Sequence, residues 1–313
     1  MTTAYYSHAD CRAHDMGRGH PECPQRLDAI RDHLLATGLH VALELRDAPL
    51  ATLAQLERAH SAGFVTELQA AIEPLAASGE HVALDPDTSA GPGTWQAVLR
   101  AAGAAVAATD AVIDGNAANA FCAVRPPGHH ATRDQAMGFC FVNNVAVAAR
   151  HALDVRGLER VAIIDFDVHH GNGTEDIIAG DERILMASFF QHPLYPYSGT
   201  QPKADNMINV PIAPYSRGDT VRAAIEAKWL PRLEAFKPQM LFVSAGFDAH
   251  REDELGQLSL VEADYAWITR QLVEVAGRHA EGRIVSCLEG GYNLSALARS
   301  VAAHLRVLAG VAV

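Results

Sequence analysis

Short apolar runs alternate with longer amphipathic stretches along most of the chain. The runs are rich in β-branched and aromatic residues, as strands buried on both faces are. They span residues 120–124, 160–167, 184–190, 207–212, 240–248 and 284–291. The amphipathic stretches have helical periodicity and span residues 92–114, 141–155, 217–236, 259–279 and 294–309. This alternation predicts an α/β fold in which helices cover both faces of a mainly parallel sheet.

Composition and charge narrow the class of protein. The 313 residues are 49% hydrophobic and 20% charged, which is enough apolar material for a large core. No repeat, low-complexity segment or linker interrupts the chain, so we expect a single domain over residues 1–313. The formal net charge of −12 disfavours nucleic-acid binding and would attract a cationic substrate, although it would also serve solubility alone. A homo-oligomer is compatible with this composition.

Cysteine usage and the N-terminus bear on the cellular compartment. The five cysteines form no CxxC pair, and their odd number argues against a disulfide framework, which indicates a reducing compartment. The first residues lack a basic stretch followed by an apolar core, and no run of about 18 apolar residues occurs. We therefore expect a cytoplasmic protein without a membrane segment.

The segment IIDFDVHHGNGT, residues 163–174, carries the strongest chemical signal. Asp167 and His169 alternate as a predicted strand ends, so both side chains would point to one side. Asp248 ends another predicted strand, and the carboxyl ends of parallel strands are where ligands bind. One nitrogen and two carboxylates leave a coordination position open, as a catalytic zinc site requires. Taken singly, each residue is equally well explained as a cap or turn former.

Two further clusters supply candidate catalytic groups. His129 and His130 follow an apolar strand in a loop stiffened by proline and glycine, and such a pair can act as general base and general acid. Tyr292 follows a strand and two glycines, where its phenol could donate to a developing oxyanion. The alternatives are a solvent-exposed histidine pair and a core tyrosine with its hydroxyl satisfied.

Six motifs occur in an order that resembles the histone deacetylase family. They run from GHPECPQRL at residues 19–27 to GGYNL at residues 290–294. Between these ends stand RPPGHH, GFCFVNN, DFDVHHGNGT and SAGFD. The residues of these motifs are most similar to those of the class II branch, which carries asparagine at the position of Asn172. The resemblance implies an arginase/deacetylase-like fold and a zinc-dependent protein lysine deacylase.

The resemblance also implies roles for individual residues. Asp167, His169 and Asp248 would bind zinc, which agrees with the interpretation of the strand ends. His130 would be the principal base and acid, and His129 would be its electrostatic partner. By the same resemblance, Asp165 would orient His129, and Tyr292 would polarise the scissile carbonyl.

The resemblance implies a substrate tunnel as well. Gly138 would accept the N–H of the substrate lysine through its carbonyl, and Phe139 would form one aromatic wall. Either Leu194 or Tyr195 would form the second wall. Arg26 would line an internal cavity behind the zinc.

Two more features carried over from the family concern ions and the tunnel rim. Structural potassium would lie beside the zinc strand, at Asp165, Ser188 and Phe189, with help from the carbonyls of residues 167 and 169. At the rim, Asp87 or Asp85 would anchor the substrate backbone, and either residue could equally be a turn former.

Three functions remain open at this point. A protein lysine deacylase would act on acylated lysine peptides, whereas an acetylpolyamine amidohydrolase would act on acylated small amines. Polyamine-selective relatives resemble one another in carrying a glutamate gatekeeper, and that position falls on Leu255 in this chain. A leucine there favours peptide substrates, whereas a shift of one residue, to Glu254, would favour polyamines. A catalytically weak metal-binding module is disfavoured because Tyr292 is retained. Gly171 stands where dinuclear relatives carry a further acid, so we expect one transition metal.

Overall fold

Eight parallel strands form one sheet in the computed structural model of the protein, which describes residues 2–311. Their order across the sheet is β2-β1-β5-β10-β9-β6-β7-β8, and β3 and β4 form a separate antiparallel pair. The strands are β1 (Thr3–Ser7), β2 (Leu43–Asp47), β3 (Val82–Ala83), β4 (Ser89–Ala90), β5 (Asn119–Cys122), β6 (Val161–Asp165), β7 (Ile184–Gln191), β8 (Met207–Ile212), β9 (Leu241–Ala245) and β10 (Ile284–Leu288).

Helices flank this sheet. They are α1 (Ala9–Ala13), α2 (Gln25–Ala36), α3 (Leu53–Leu56), α4 (Ala62–Ile72), α5 (Leu75–Ser78), α6 (Thr94–Ile113), α7 (Asn144–Asp154), α8 (Asn172–Ile178), α9 (Gly218–Ala224), α10 (Leu230–Phe236), α11 (Glu262–His279) and α12 (Leu294–Leu308). A π-helical turn over Ile225–Trp229 joins α9 to α10, and a short 3₁₀ helix covers Leu39–Ala42. The predicted α/β fold with a parallel sheet is confirmed.

Burial explains which strands the apolar pattern revealed. Every residue of β5, β6, β7, β9 and β10 is buried, because helices such as α6 and α7 cover these strands. Strand β2 lies at the sheet edge and is mostly exposed, so polar residues interrupt its apolar pattern. We did not predict β1, β2 or the helices of the first ninety residues.

Helix α6 is long and apolar enough, by length and composition, to cross a membrane. However, 67% of its apolar window is buried inside the protein. The helix contacts α7 as well as strands β1, β5 and β10. Core helices pass the same test of length and composition, and the burial of α6 explains its hydropathy.

The register of the sheet brings four chain segments to one edge. Cys287 pairs with Cys122 on one side and with Ser244 on the other, and Ser244 also pairs with Asp165. Strands β5, β10, β9 and β6 are therefore adjacent, and their carboxyl ends lie side by side. The loops that follow these four strands contain all the predicted zinc ligands and both predicted catalytic histidines.

Candidate active site

The three predicted metal ligands converge where β6 and β9 end. Ligand atoms of Asp167, His169 and Asp248 all lie within 4.8 Å of one another. The Nδ1 atom of His169 is 3.0 Å from Oδ1 of Asp167 and 3.2 Å from Oδ2 of Asp248. Both carboxylates are fully buried, and 11% of the His169 side chain is exposed. One imidazole nitrogen and two carboxylate oxygens are the donor set of a catalytic zinc site.

Local turns, and not strand alternation, bring these side chains together. Strand β6 ends at Asp165, so Asp167 and His169 lie beyond it, although the predicted strand ran to residue 167. Oδ1 of Asp165 accepts the N–H of Asp167 at 3.1 Å, and Oδ1 of Asp167 accepts the N–H of His169 at 2.9 Å. From the neighbouring loop, Oδ1 of Asp248 accepts the N–H of Val168 at 2.9 Å. Successive aspartate turns of this kind curl the backbone around the cluster.

The electrostatics of the cluster fit a bound cation. Oδ2 of Asp248 is buried, and among residues 2–311 it has no hydrogen-bond partner of acceptable angle, although Nδ1 of His169 lies 3.2 Å away. Burial, together with the nearby Asp167 carboxylate, raises the pKa of Asp248 to about 7. A Cβ atom at Gly290 would collide with both carboxylates, whereas the Gly290 N–H donates to Oδ2 of Asp167 at 2.8 Å. Zinc would satisfy the unpaired carboxylate oxygen, so the residues present fit this metal.

His129 and His130 lie side by side in the loop after β5, with ring centroids 4.0 Å apart. Nδ1 of His129 is 3.0 Å from Oδ2 of Asp165, and Nδ1 of His130 is 2.8 Å from Oδ1 of Asn172. Since an amide oxygen only accepts, the hydrogen bond assigns the proton of His130 to Nδ1 and leaves a lone pair on Nε2. The rings of His130 and His169 are 5.9 Å apart, so this lone pair belongs to a base close to the metal cluster.

The two histidines have opposite electrostatic environments. Burial opposes protonation of His129, but the carboxylates of Asp167 and Asp165 raise its pKa well above the ordinary value. Burial, with the charge on His129, lowers the pKa of His130 well below the ordinary value. The pair therefore combines a cationic imidazole with a neutral one, as an electrostatic partner and a general base require.

Tyr292 lies between β10 and α12, two residues after Gly290, which contacts the metal cluster. Its ring is 5.8 Å from that of Phe139 in an edge-on arrangement. Burial, together with the Asp248 carboxylate, raises the pKa of Tyr292 well above its ordinary value, so the phenol keeps its proton and can donate it.

Arg26 lies under Tyr292, with its guanidinium carbon 5.0 Å from the ring centroid. The side chain is fully buried, and Nε donates to the carbonyl of Gly291 at 2.7 Å. It also donates to the carbonyl of Glu289 and to the carboxylate of Glu22. Arg26 thus holds the backbone that carries Tyr292.

Two aromatic side chains flank the site. Phe139 has a positive φ of 68°, and its ring is 4.7 Å from that of His20. The ring of Tyr195 is 5.2 Å from that of His130, whereas Leu194 packs against the apolar core. Of the two alternatives left open by the sequence, the structure therefore brings Tyr195 to the site.

Gly138 packs directly on the predicted base. Its φ is 57°, and an added Cβ would lie 2.6 Å from the His130 ring, so only glycine fits. Of the two rim acids, Asp85 is used locally, because its Oδ1 accepts the N–H of Asp87 at 2.9 Å. The half-buried Asp87 carboxylate accepts a hydrogen bond from the Thr88 hydroxyl at 3.1 Å, and Thr88 Oγ1 accepts the N–H of Phe139 at 3.0 Å, so these contacts link the rim to the site.

Leu255 lies half-buried in the loop after β9, whereas Glu254 is exposed. Asp248 belongs to the same loop, which folds back on itself, because an added Cβ at Gly256 would lie 2.6 Å from the Asp248 carbonyl and 2.9 Å from the Val168 side chain. This loop therefore packs on the metal cluster.

The three residues predicted to bind potassium are adjacent. Asp165 pairs with Ser188 across β6 and β7, and Phe189 follows Ser188. The Ser188 hydroxyl donates to Asn209 at 3.3 Å, and its carbonyl accepts from the indole of Trp229 at 3.3 Å. Lone pairs remain on both oxygens, and potassium binding stays a prediction.

Glu289 contributes to the site in a way that we did not predict. It is fully buried after β10, and Oε2 accepts the N–H groups of Gly128 at 2.6 Å and His129 at 3.1 Å. Oε1 accepts from the Ser244 hydroxyl at 3.1 Å. Glu289 therefore fastens the histidine loop to β10 and β9. A charged residue directly after an apolar strand was the available signal, as it was for Asp248.

Comparisons with known proteins identify relatives of this chain. Residues 20–308 match the family model described as the histone deacetylase domain. A histone deacetylase-like amidohydrolase of Pseudomonas aeruginosa is 39% identical over 282 residues, which cover 88% of this chain and 73% of that protein. A probable deacetylase of Archaeoglobus fulgidus is 34% identical over 302 residues, covering 94% and 82% of the two chains.

A solved structure is similar over nearly the whole fold. The crystal structure of the HDA15 HD domain superposes with a TM-score of 0.91 at 31% sequence identity. The match covers 99% of this chain and 90% of that one.

Proposed function

The chain belongs to the histone deacetylase family, and on that premise we propose that it is a zinc-dependent hydrolase of acyl-lysine amides. One observation carries the proposal. A buried cluster of Asp167, His169 and Asp248, with an unpaired carboxylate oxygen, stands beside the neutral imidazole of His130. A cation-binding cluster next to a free base is the arrangement required for attack by water on an amide.

Zinc would be held by Asp167, His169 and Asp248. The chemistry supplied by bound zinc is Lewis acidity toward the amide carbonyl and toward water. The protein excludes bulk water from the carboxylates, which are both fully buried. A hydrogen bond from the His169 N–H to the Asp167 carboxylate also holds His169 in place.

Proton transfers fall to His130. Its Nδ1 proton is engaged by Asn172, so Nε2 accepts the proton of the attacking water. The same nitrogen then donates that proton to the leaving amine. His129 is paired with Asp165 and keeps a positive charge beside His130. This charge favours the anionic transition state.

Tyr292 donates its phenolic hydrogen to the amide oxygen as that oxygen gains negative charge. Its raised pKa keeps this hydrogen in place at neutral pH. Phe139 and Tyr195 flank the acyl-lysine chain, and the carbonyl of Gly138 accepts the amide N–H.

Acylated lysine peptides are the substrates that we propose. Leu255 gives the entrance an apolar side chain where a carboxylate would recognise the second ammonium of an acetylated polyamine. The exposed Glu254 next to it keeps that second substrate class as the alternative.

Turnover of matched substrates tests the proposal. Purified protein would be assayed on an acetyl-lysine peptide, a longer acyl-lysine peptide, N-acetylputrescine and N-acetylspermidine, before and after chelation and zinc addition. We expect the highest kcat/KM on a peptide, loss of activity on chelation, and recovery with zinc. A preference for either acetylated polyamine would refute the choice of substrate, and activity that survives complete removal of metal would refute zinc dependence.

A further inference from the structure

Asp253 joins the loop that carries Leu255 to the backbone of Tyr292 through a single carboxylate. Oδ1 accepts the N–H of Leu255 at 3.1 Å. Oδ2 accepts the N–H of Tyr292 at 2.6 Å and that of Asn293 at 3.0 Å. These donors lie in two loops that are far apart in the sequence, one after β9 and one after β10.

The environment of Asp253 favours a fixed carboxylate. The residue is 6% exposed, and its own N–H donates to the carbonyl of His250 at 2.9 Å, which closes a turn. Its Oδ2 lies at the N-terminal end of the fifteen-residue helix α12, where the helix dipole favours a negative charge. Both oxygens are thus occupied by backbone donors, and the side chain is not needed for any substrate contact.

The two loops have different tasks in the site. The loop after β9 carries Asp253, Leu255 and the predicted metal ligand Asp248. It folds back on itself where Gly256 approaches the Asp248 carbonyl. The other loop carries the Tyr292 phenol. A shift of about 1 Å between reacting groups costs about 10²-fold in rate, so the relative position of these loops matters for chemistry.

We propose that Asp253 is a positioning residue, which sets the Tyr292 phenol relative to the metal cluster by tying the Tyr292 backbone to the Leu255 loop. The inference rests on the proposed function, because it requires that Tyr292 acts on the substrate carbonyl. Asp253 itself touches no reacting atom, and its effect passes entirely through Tyr292.

A double-mutant cycle separates this role from a purely structural one. The variants are Asp253→Asn, Asp253→Ala, Tyr292→Phe and the two double mutants. Each would be assayed for kcat and KM on an acetyl-lysine peptide, for zinc content and for melting temperature. An asparagine at this position keeps one acceptor oxygen and can bind the backbone of only one loop. The loss of kcat should therefore be smaller than with alanine.

We expect Asp253→Ala to lower kcat about 10- to 100-fold with KM and zinc content within about twofold of wild type, since the phenol is worth about 10²- to 10³-fold. In the Tyr292→Phe background, the same change should have little further effect, because the interaction through which it acts is already gone. If Asp253→Ala fails to fold, Asp253→Asn carries the same comparison.

Thr52→Ala is the control for loss of stability alone. It removes the side-chain cap that accepts the N–H of Gln55 at 3.3 Å at the start of α3, which takes no part in the site. It should lower the melting temperature and leave kcat near wild type.

Three outcomes would overturn the inference, and they are distinguishable. Losses that multiply in the double mutants would show that Asp253 acts independently of Tyr292, while the proposed function stands. Full turnover by Tyr292→Phe would remove the tyrosine from the mechanism and take the inference with it. A wild-type kcat in both Asp253 variants would also reject it.

Discussion

Nδ1 of His130 lies 2.8 Å from the side-chain oxygen of Asn172. Because Asn172 is neutral, this contact fixes the tautomer of His130 and raises its pKa less than a carboxylate would, so burial and the charge on His129 keep that pKa low. His129, by contrast, has a carboxylate partner, because its Nδ1 contacts Asp165. The neutral base and the cationic partner are therefore distinguished by their hydrogen-bond acceptors.

His130→Ala should lower kcat by about 10²- to 10⁴-fold, and His129→Ala should lower it less, because the first removes proton transfer and the second a supporting charge. The measurement is kcat on a fluorogenic acetyl-lysine substrate, with zinc content determined on the same preparations. Equally small losses in both variants would assign the proton transfers to another group.

Asp248→Ala should abolish stoichiometric zinc binding, because it removes one of three protein ligands. Metal analysis of the wild type should give about one transition metal per chain. Asp85→Ala, a change outside the cluster, should retain the metal. Two tightly bound transition metals in the wild type would contradict the predicted mononuclear site, as would full activity of Asp248→Ala.

Tyr292→Phe should reduce kcat by about 10²- to 10³-fold while zinc content and inhibitor binding stay nearly unchanged, because the phenol acts on charge that develops in the transition state. Turnover and melting temperature would be measured together. A variant that melts several degrees lower but turns over like the wild type would make Tyr292 a structural residue.

Leu255→Glu should shift selectivity toward acetylated polyamines, because a carboxylate at this rim position can pair with the second ammonium of the ligand. An exposed pair is worth up to about 1 kcal/mol, or about fivefold in relative kcat/KM, and more if it is desolvated. Leu255→Gln is the control of similar size without the charge. Equal selectivity of the two variants would argue against an electrostatic gatekeeper at this position.

His60 should make the protein less stable in mild acid. Burial lowers its pKa to about 4, and its ring bridges the Thr132 carbonyl at 2.9 Å and the Asn143 N–H at 2.9 Å. Between about pH 6.5 and pH 4 the unfolded state binds a proton that the folded state does not, so stability falls as the pH falls. At pH 5 this linkage costs about 2 kcal/mol relative to pH 7.5.

Urea unfolding of wild type and His60→Gln at pH 7.5 and pH 5 measures this effect. The difference between the two pH values should be about 2 kcal/mol smaller in the variant. His81→Gln, at an exposed histidine, should behave like the wild type. An unchanged pH dependence in His60→Gln would show that other groups carry the acid sensitivity.

The sequence by itself determined the elements that are buried on both faces and the chemistry that lies close together in the chain. Strands β5, β6, β7, β9 and β10 were predictable because apolar runs mark them, and the edge strand β8 was predictable because its segment MINVPI is mostly apolar. Asp167, His169 and the histidine pair were recognisable because each stands just after such a run. Their family could be identified from the order of the motifs.

Tertiary structure alone decided which distant residues meet. Asp248 reaches the N–H of Val168, Glu289 reaches that of His129, and Asp253 reaches that of Tyr292. Each contact joins loops whose proximity depends on the order of strands in the sheet, which no local pattern encodes. Strands β1 and β2 were missed because their place in the sheet is not encoded locally. The edge strand β2 also needs no continuous apolar run, because one of its sides remains in water.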